Sequence, residues 1–316
     1  TREFYMLNQQ LTETQVIEKV AQAYYQVYQT RQSLENIESN IALTEKTASV
    51  VEGSYKAGLA KKIDVDRTTV ALNNLKSARQ QALNGLQLSE NALKYMIGMP
   101  MEETITLPKE GFEANYELAF EQGNTDKRIE LQVLEKQRQL LDLNVKVQRA
   151  ALYPSLALQG TYGWLGMGPK APLFYGEKDR VYWADYSAIT LGLNVPIFSG
   201  FGTRAKIRQA QIEMNALDQD LKDTRLAMDL AYKNATSKIQ NNLLTIQSQK
   251  ENVKLAEDVL TNTQNNYKQG LASLTDLLES ERSLSDAKNS YTNALLEYKL
   301  AEIELLKSQG KLDSLK

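Results

Sequence analysis

Tyr55-Lys56-Ala57-Gly58-Leu59-Ala60 returns as Tyr267-Lys268-Gln269-Gly270-Leu271-Ala272, a displacement of 212 positions, and this pair of hexamers decides the fold. Without a gap, the same displacement carries Asp64 onto Asp276, Leu72 onto Leu284, Lys76 onto Lys288, Leu93 onto Leu305 and Gly98 onto Gly310. Upstream it relates Asn40 to Asn252, Leu43 to Leu255 and Glu45 to Glu257. Each unit therefore reads as a long helix, a short Gly turn and a second long helix. A repeat this long points to duplication of half a protein rather than to a solenoid of short units.

The helices show a sustained heptad seam. Leu217, Leu221, Thr224, Met228, Ala231 and Ala235 continue through Asn242, Ile246, Gln249, Val253, Ala256, Leu260, Thr263 and Tyr267. The return arm gives Leu274, Leu277, Glu281, Leu284, Lys288, Tyr291, Leu295, Tyr298, Glu302 and Leu305. Such a period implies helices packed side by side with slight supercoiling. Thr, Asn, Gln, Glu and Lys in the seam are poor material for an ordinary dimeric coiled coil. They suit a hollow cylinder in which each helix touches two neighbours, or a solvated bundle, and periodicity alone does not separate these. The arm from Arg204 to Tyr267 would reach about 90 Å and its return about 50 Å.

Composition restricts the chemistry. The chain has 316 residues, 42% hydrophobic and 24% charged, with a net charge of −2 and only 6 Pro, which fits a folded and mostly helical protein and does not make nucleic acid the expected partner. There is no Cys, and so no disulfide or thiolate site, and no His, the commonest general base and metal ligand. No Gly-rich phosphate loop or nucleophile elbow is present. No catalytic residue, metal site or cofactor is expected. No apolar run reaches the length of a membrane-spanning helix.

One segment departs from the helical period. In Tyr153-Pro154-Ser155-Leu156-Ala157-Leu158-Gln159-Gly160-Thr161-Tyr162-Gly163-Trp164-Leu165 the alternation becomes two, with Leu156, Leu158, Tyr162 and Trp164 on one side and Ala157, Gln159 and Thr161 on the other. After a Gly/Pro-rich loop over 166–180, Ile189, Leu191, Leu193 and Val195 alternate with Ala188, Thr190, Gly192 and Asn194. Each run is about 10 residues, the length of a tilted membrane-spanning β-strand with one face for lipid and one for a lumen. Tyr162, Trp164, Tyr182, Trp183 and Tyr186 gather at the loop end as an interfacial belt would. A β-hairpin lying on a helical bundle would alternate in the same way. The chain thus divides into a first-repeat helical hairpin at 1–111, a second-repeat helix arm at 112–153, a strand pair with its loop at 154–198 and a second-repeat helical hairpin at 199–316.

Together these residues resemble the TolC-like outer-membrane efflux and secretion ducts. The likeness rests on the duplicated Tyr-x-x-Gly-Leu turn followed by Asp, on Leu152-Tyr153-Pro154-Ser155-Leu156, and on Val195-Pro196-Ile197-Phe198-x-Gly200 running into Ile207-x-Gln209-Ala210. The resemblance implies a mainly α chain with a small β part. Its long helical hairpins would form an α-helical barrel in the periplasm, and its strand pair would contribute to a trimeric transmembrane β-barrel in the outer membrane of a Gram-negative cell. It implies a passive duct of a tripartite efflux pump or type I secretion system. Expected partners are two further copies, a periplasmic adaptor, an inner-membrane pump and the lipid bilayer, with no enzymatic activity. The alternative is a periplasmic structural or adaptor protein without a pore. In the family each repeat carries a strand pair, so a twin pair and one helix arm are expected upstream of Thr1.

By the same resemblance Tyr267, Asp276, Glu279 and the first-repeat Asp64 fall at a periplasmic gate. Six Asp276 and Glu279 carboxylates per trimer would favour cations. The hairpin-tip residues Gly58, Leu59, Ala60, Gly270, Leu271 and Ala272 fall at the adaptor contact, and Leu156, Leu158, Tyr162, Trp164, Ile189, Leu191 and Leu193 would face lipid. Where the prototype carries a gate-locking Arg this chain has Ala272, leaving Lys268, Gln269, Lys61, Lys62 and Arg67 as replacements. Other roles stay open. Ser273-Leu274-Thr275-Asp276 has the outline of a capping box, which the first repeat weakens by placing Lys61 at the cap position, and the two turn glycines serve positive φ as readily as contact.

Overall fold

The computed structural model describes residues 2–108, 128–171, 173–174 and 177–315. Its elements run α1 (Arg2–Lys56), α2 (Lys62–Ile97), α3 (Ile129–Ala150), β1 (Ser155–Met167), β2 (Tyr182–Asn194), α4 (Gly202–Lys268) and α5 (Leu274–Ser308). The boundary expected at 111/112 and residues 112–127 of the expected arm lie outside the described residues. Two compact units emerge, one of residues 134–222 and one of residues 2–133 with 223–316.

In the larger unit α1 packs on α2 and on α5. The α5 helix also packs on α4, where Ala235, Ile239, Leu243 and Ile246 meet Ala294, Tyr298, Ala301 and Leu305. Tyr298, Ala235, Ile239 and Ala301 are completely withdrawn from solvent. Ile239 and Leu243 are missing from the seam as read above. Between Ala235 and Asn242 lies the turn that holds the fully buried Ile239.

Polar groups along the seam find partners. Asn242 donates to the Glu297 carbonyl at 2.9 Å, and Lys299 reaches Glu302 at 2.7 Å. Ion pairs repeat with the duplication: Lys76 meets Glu45 at 3.9 Å, and their counterparts Lys288 and Glu257 meet at 3.1 Å. A seam of Thr, Asn, Glu and Lys is stable here because the neighbouring side chains and backbone offer these groups a donor or acceptor.

The helix ends repeat as well. At the hairpin tips, Gly58 and Gly270 have φ of +76° and +72°. Leu59 N donates to the Ser54 carbonyl at 2.8 Å, and Leu271 N to the Asn266 carbonyl at 2.8 Å. These are two copies of one left-handed C-cap, which a residue without a Cβ adopts at no steric cost.

The smaller unit contains the sheet, an antiparallel β1–β2 pair flanked by the end of α3 and the start of α4. Arg138 of α3 and Asp218 of α4 form an ion pair. Each strand has 13 residues, longer than expected, because pairing continues through Leu165–Ala184 and Gly166–Trp183 to Met167–Tyr182. The added rungs hold Gly and aromatic residues whose alternation is not apolar against polar, so periodicity does not reveal them. Tyr186 packs over Gly163, its partner across the pair, where a Cβ would come within 3.2 Å of the ring.

Candidate functional site

At the second tip Ser273 and Asp276 cap α5 reciprocally. The Ser273 N–H donates to Asp276 Oδ2 at 2.9 Å, the Ser273 hydroxyl donates to the same oxygen at 2.8 Å, and Asp276 N donates back to Ser273 Oγ at 3.2 Å. These bonds hold the Asp276 carboxyl below its ordinary range, the side-chain bond from Ser273 being the largest cause. At the first tip the Lys61 N–H donates to Asp64 Oδ2 at 3.4 Å. Lys61 therefore does not argue against capping by Asp64, as the sequence suggested. The back-reaching half of a capping box needs only the backbone N–H, and any residue at the cap supplies it.

The two repeats also meet directly. Arg67 of α2 donates to the Thr275 hydroxyl of α5 at 3.2 Å and lies 3.9 Å from the Asp64 carboxylate. Burial raises the Tyr267 phenol above its ordinary range, and the Asp64 charge adds to that shift. Of the five residues left as lock replacements, Arg67 is the one joined to α5. That link spans 208 positions and was not legible from spacing.

An open groove of about 900 Å³ lies over α1 between α2 and α5. Ile63, Arg67 and Val70 line one side and Thr275, Glu279 and Arg282 the other, with Asn40 and Thr44 beneath. Glu279 thus lines the groove, whereas Asp276 is engaged at the helix cap. On the floor Glu281, only 3% exposed, accepts hydrogen bonds from Thr44 at 3.0 Å and Thr47 at 2.6 Å. Burial pushes its carboxyl up and the two hydroxyls oppose that shift. Glu281 is visible in the sequence as an acid on the seam, but its donors lie 237 and 234 positions away.

The remaining tip residues are outward. Leu59 is 85% and Leu271 74% exposed, Gly58 and Gly270 are exposed, and Ala60 and Ala272 are half-buried. Among the described residues no group of three or more Asp, Glu, His or Cys side chains is placed to hold a metal ion.

The strand pair has two chemically distinct faces. Leu156 pairs with Leu193, Leu158 with Leu191 and Gly160 with Ile189, continuing through Tyr162–Ser187 to Trp164–Asp185. The other face carries Ala157–Gly192, Gln159–Thr190 and Thr161–Ala188. All seven residues expected at lipid are exposed and fall on the first face. Among the described residues no helix is long and apolar enough to cross a membrane.

Residues 125–311 match the family model described as outer membrane efflux protein. The chain is 23% identical over 316 residues to the outer membrane protein TolC of Vibrio cholerae, covering 95% of this chain and 69% of that protein. It is 23% identical to the probable efflux pump outer membrane protein TtgC of Pseudomonas putida, covering 95% of this chain and 61% of that one. Its fold matches the crystal structure of the outer membrane protein VceC from Vibrio cholerae with a TM-score of 0.78 at 18% identity, over 97% of this chain and 72% of that one. The chain thus spans roughly two thirds of these relatives' length.

Proposed function

The chain belongs to the outer membrane efflux protein family, and from that premise we propose that it is the larger part of one subunit of a passive trimeric outer-membrane duct. The observation that carries the reading is the strand register. It sets leucine against leucine on one face and Gln159 against Thr190 on the other, the division a barrel wall between lipid and water requires. A helical adaptor without a pore has no use for an exposed leucine ladder. The helical hairpins then form the periplasmic part, which an adaptor opens and an inner-membrane pump supplies with cargo. The duct itself catalyses nothing.

The tips form the gate in this reading. Glu279, lining the groove, supplies the cation preference together with Asp276, whose carboxylate also fixes the start of α5. Arg67 takes the place of the missing lock residue through Thr275 and Asp64. Leu59 and Leu271 present apolar side chains to the adaptor.

Conductance of the natural full-length protein in a planar bilayer tests this. A small, cation-selective conductance that loses selectivity in D276N/E279Q supports duct and gate together. Unchanged selectivity keeps the duct and leaves those carboxylates as cap and groove residues. A folded protein that enters bilayers but never conducts would end the duct reading.

A further inference from the structure

The sheet end opposite the 168–181 loop carries a second surface. Ser155 pairs with Asn194, so the chain leaves both strands side by side, through Tyr153 into α3 and through Val195 into α4. The exit is strongly apolar: Ile197 is 94% exposed, and Phe198 and Phe201 are exposed and meet edge to face with ring centroids 5.8 Å apart. Directly beyond it the charge is of one sign. Residues 143–153 and 195–212 contain Lys146, Arg149, Arg204, Lys206 and Arg208 and no Asp or Glu, with Lys146 pairing back to Asp142 at 2.7 Å.

Within this stretch Arg204 and Arg208 stand one helical turn apart and share an open hollow of about 580 Å³ with Phe201 and Ile212. The Arg204 guanidinium lies 5.8 Å from the Phe201 ring centroid. Among the described residues neither arginine has a carboxylate partner. Glu213 closes the far edge of the hollow and accepts from Gln209 at 3.1 Å.

We propose that this collar binds the phosphates of anionic phospholipids in the leaflet next to the helical part, anchoring the duct at a fixed depth. The inference rests on the membrane reading of the strands. Three features commit it to lipid. The exposed aromatic residues follow directly on the end of β2, where acyl chains end and headgroups begin. The basic residues follow within the next helical turns, and Arg204 and Arg208, about 6 Å apart along the helix, span the depth of one headgroup layer. Acids return only beyond it, at Asp142 and Glu213. A planar guanidinium beside an aromatic ring is suited to phosphate in a half-apolar setting.

The test uses the natural full-length protein reconstituted into vesicles of phosphatidylcholine with a minor fraction of phosphatidylglycerol. It counts the lipids retained on the extracted protein by native mass spectrometry. Phosphatidylglycerol is expected well above its bulk fraction, with enrichment falling on the order of ten-fold in R204Q/R208Q. It is largely kept in R204K/R208K and unchanged in K170Q/K178Q at the opposite end. Raising the salt lowers the enrichment of the unaltered protein, a readout independent of how the variants fold. Retention at the bulk ratio, or an equal loss in K170Q/K178Q, overturns the collar while leaving the duct intact. Failure to float with vesicles of phosphatidylcholine alone strikes the membrane reading itself.

Discussion

The Thr47 hydroxyl donates to Glu281 Oε1 at 2.6 Å, joining α1 to α5 through a carboxylate that is almost fully buried. Thr44 takes the other oxygen. Removing one donor leaves an almost fully buried acceptor without a partner, which costs about 1–3 kcal/mol. Thr47→Val is therefore expected to lower unfolding stability by that amount, read from urea midpoints. Glu281→Gln, which keeps an acceptor and removes the charge, is expected to cost much less.

The same carboxyl sets a pH response. Its folded-state pKa is raised by burial, so the folded protein holds this proton more tightly than the unfolded chain does. Stability from this group is greatest below the unfolded pKa and declines as pH rises through the folded value. The charged neighbours around the groove are Asp66 and Arg67 of α2 and Glu279, Arg282 and Asp286 of α5. Unfolding curves of Glu281→Gln subtracted from those of the unaltered protein should isolate a term that weakens from acid towards neutral pH. A difference that grows with pH in the opposite sense would reject it.

Asp276 behaves in the opposite way. Its pKa is lowered by Ser273, so its contribution is present above the unfolded value and lost as pH falls through the folded one. Ser273→Ala is expected to cost roughly 1 kcal/mol of stability through the lost cap while leaving cation selectivity intact. Asp276→Asn should alter both. If Ser273→Ala changes selectivity as much as Asp276→Asn, the carboxylate acts only by holding the start of α5 in place.

At Gly270 a Cβ would meet nothing within 4 Å, yet φ is +72°. Gly270→Ala is thus a test of backbone strain alone, expected to cost about 1–2 kcal/mol. Gly58→Ala should cost the same, since the first tip repeats the geometry. A loss well above that range at either site, in thermal melts of the full protein, would show that the glycine also makes close contact with something outside this chain.

The duplication, tip glycines, seam and two-faced strands were legible because each is a local pattern: a shift of register, a breaker residue, a period. What escaped depends on how distant segments meet. Glu281 stands in the seam as an anomaly until Thr44 and Thr47 arrive from α1, and Arg67 is one of five equivalent candidates until the fold brings it to Thr275. Ile239 and Leu243 were lost where the heptad drifts between adjacent positions, as a helix of 3.6 residues per turn must drift against a period of 3.5. The last strand rungs were lost because Gly166 against Trp183 carries no alternation to read.

Leu191 and Thr190 are neighbours in β2 on opposite faces, paired with Leu158 and Gln159. An arginine at Leu191 would sit on the leucine ladder, and at the middle of a bilayer it costs about 2–4 kcal/mol. The same residue at Thr190 would face the polar side, where a wet lumen accepts it. Insertion of the natural full-length protein into vesicles is therefore expected to be impaired in Leu191→Arg and nearly normal in Thr190→Arg, with the latter changing conductance instead. The contrast is the informative quantity, because both variants add one charge to one strand and share every cost except the face. Equal impairment would mean that both faces are packed against protein, and the strand pair would then be a covered hairpin rather than part of a barrel wall.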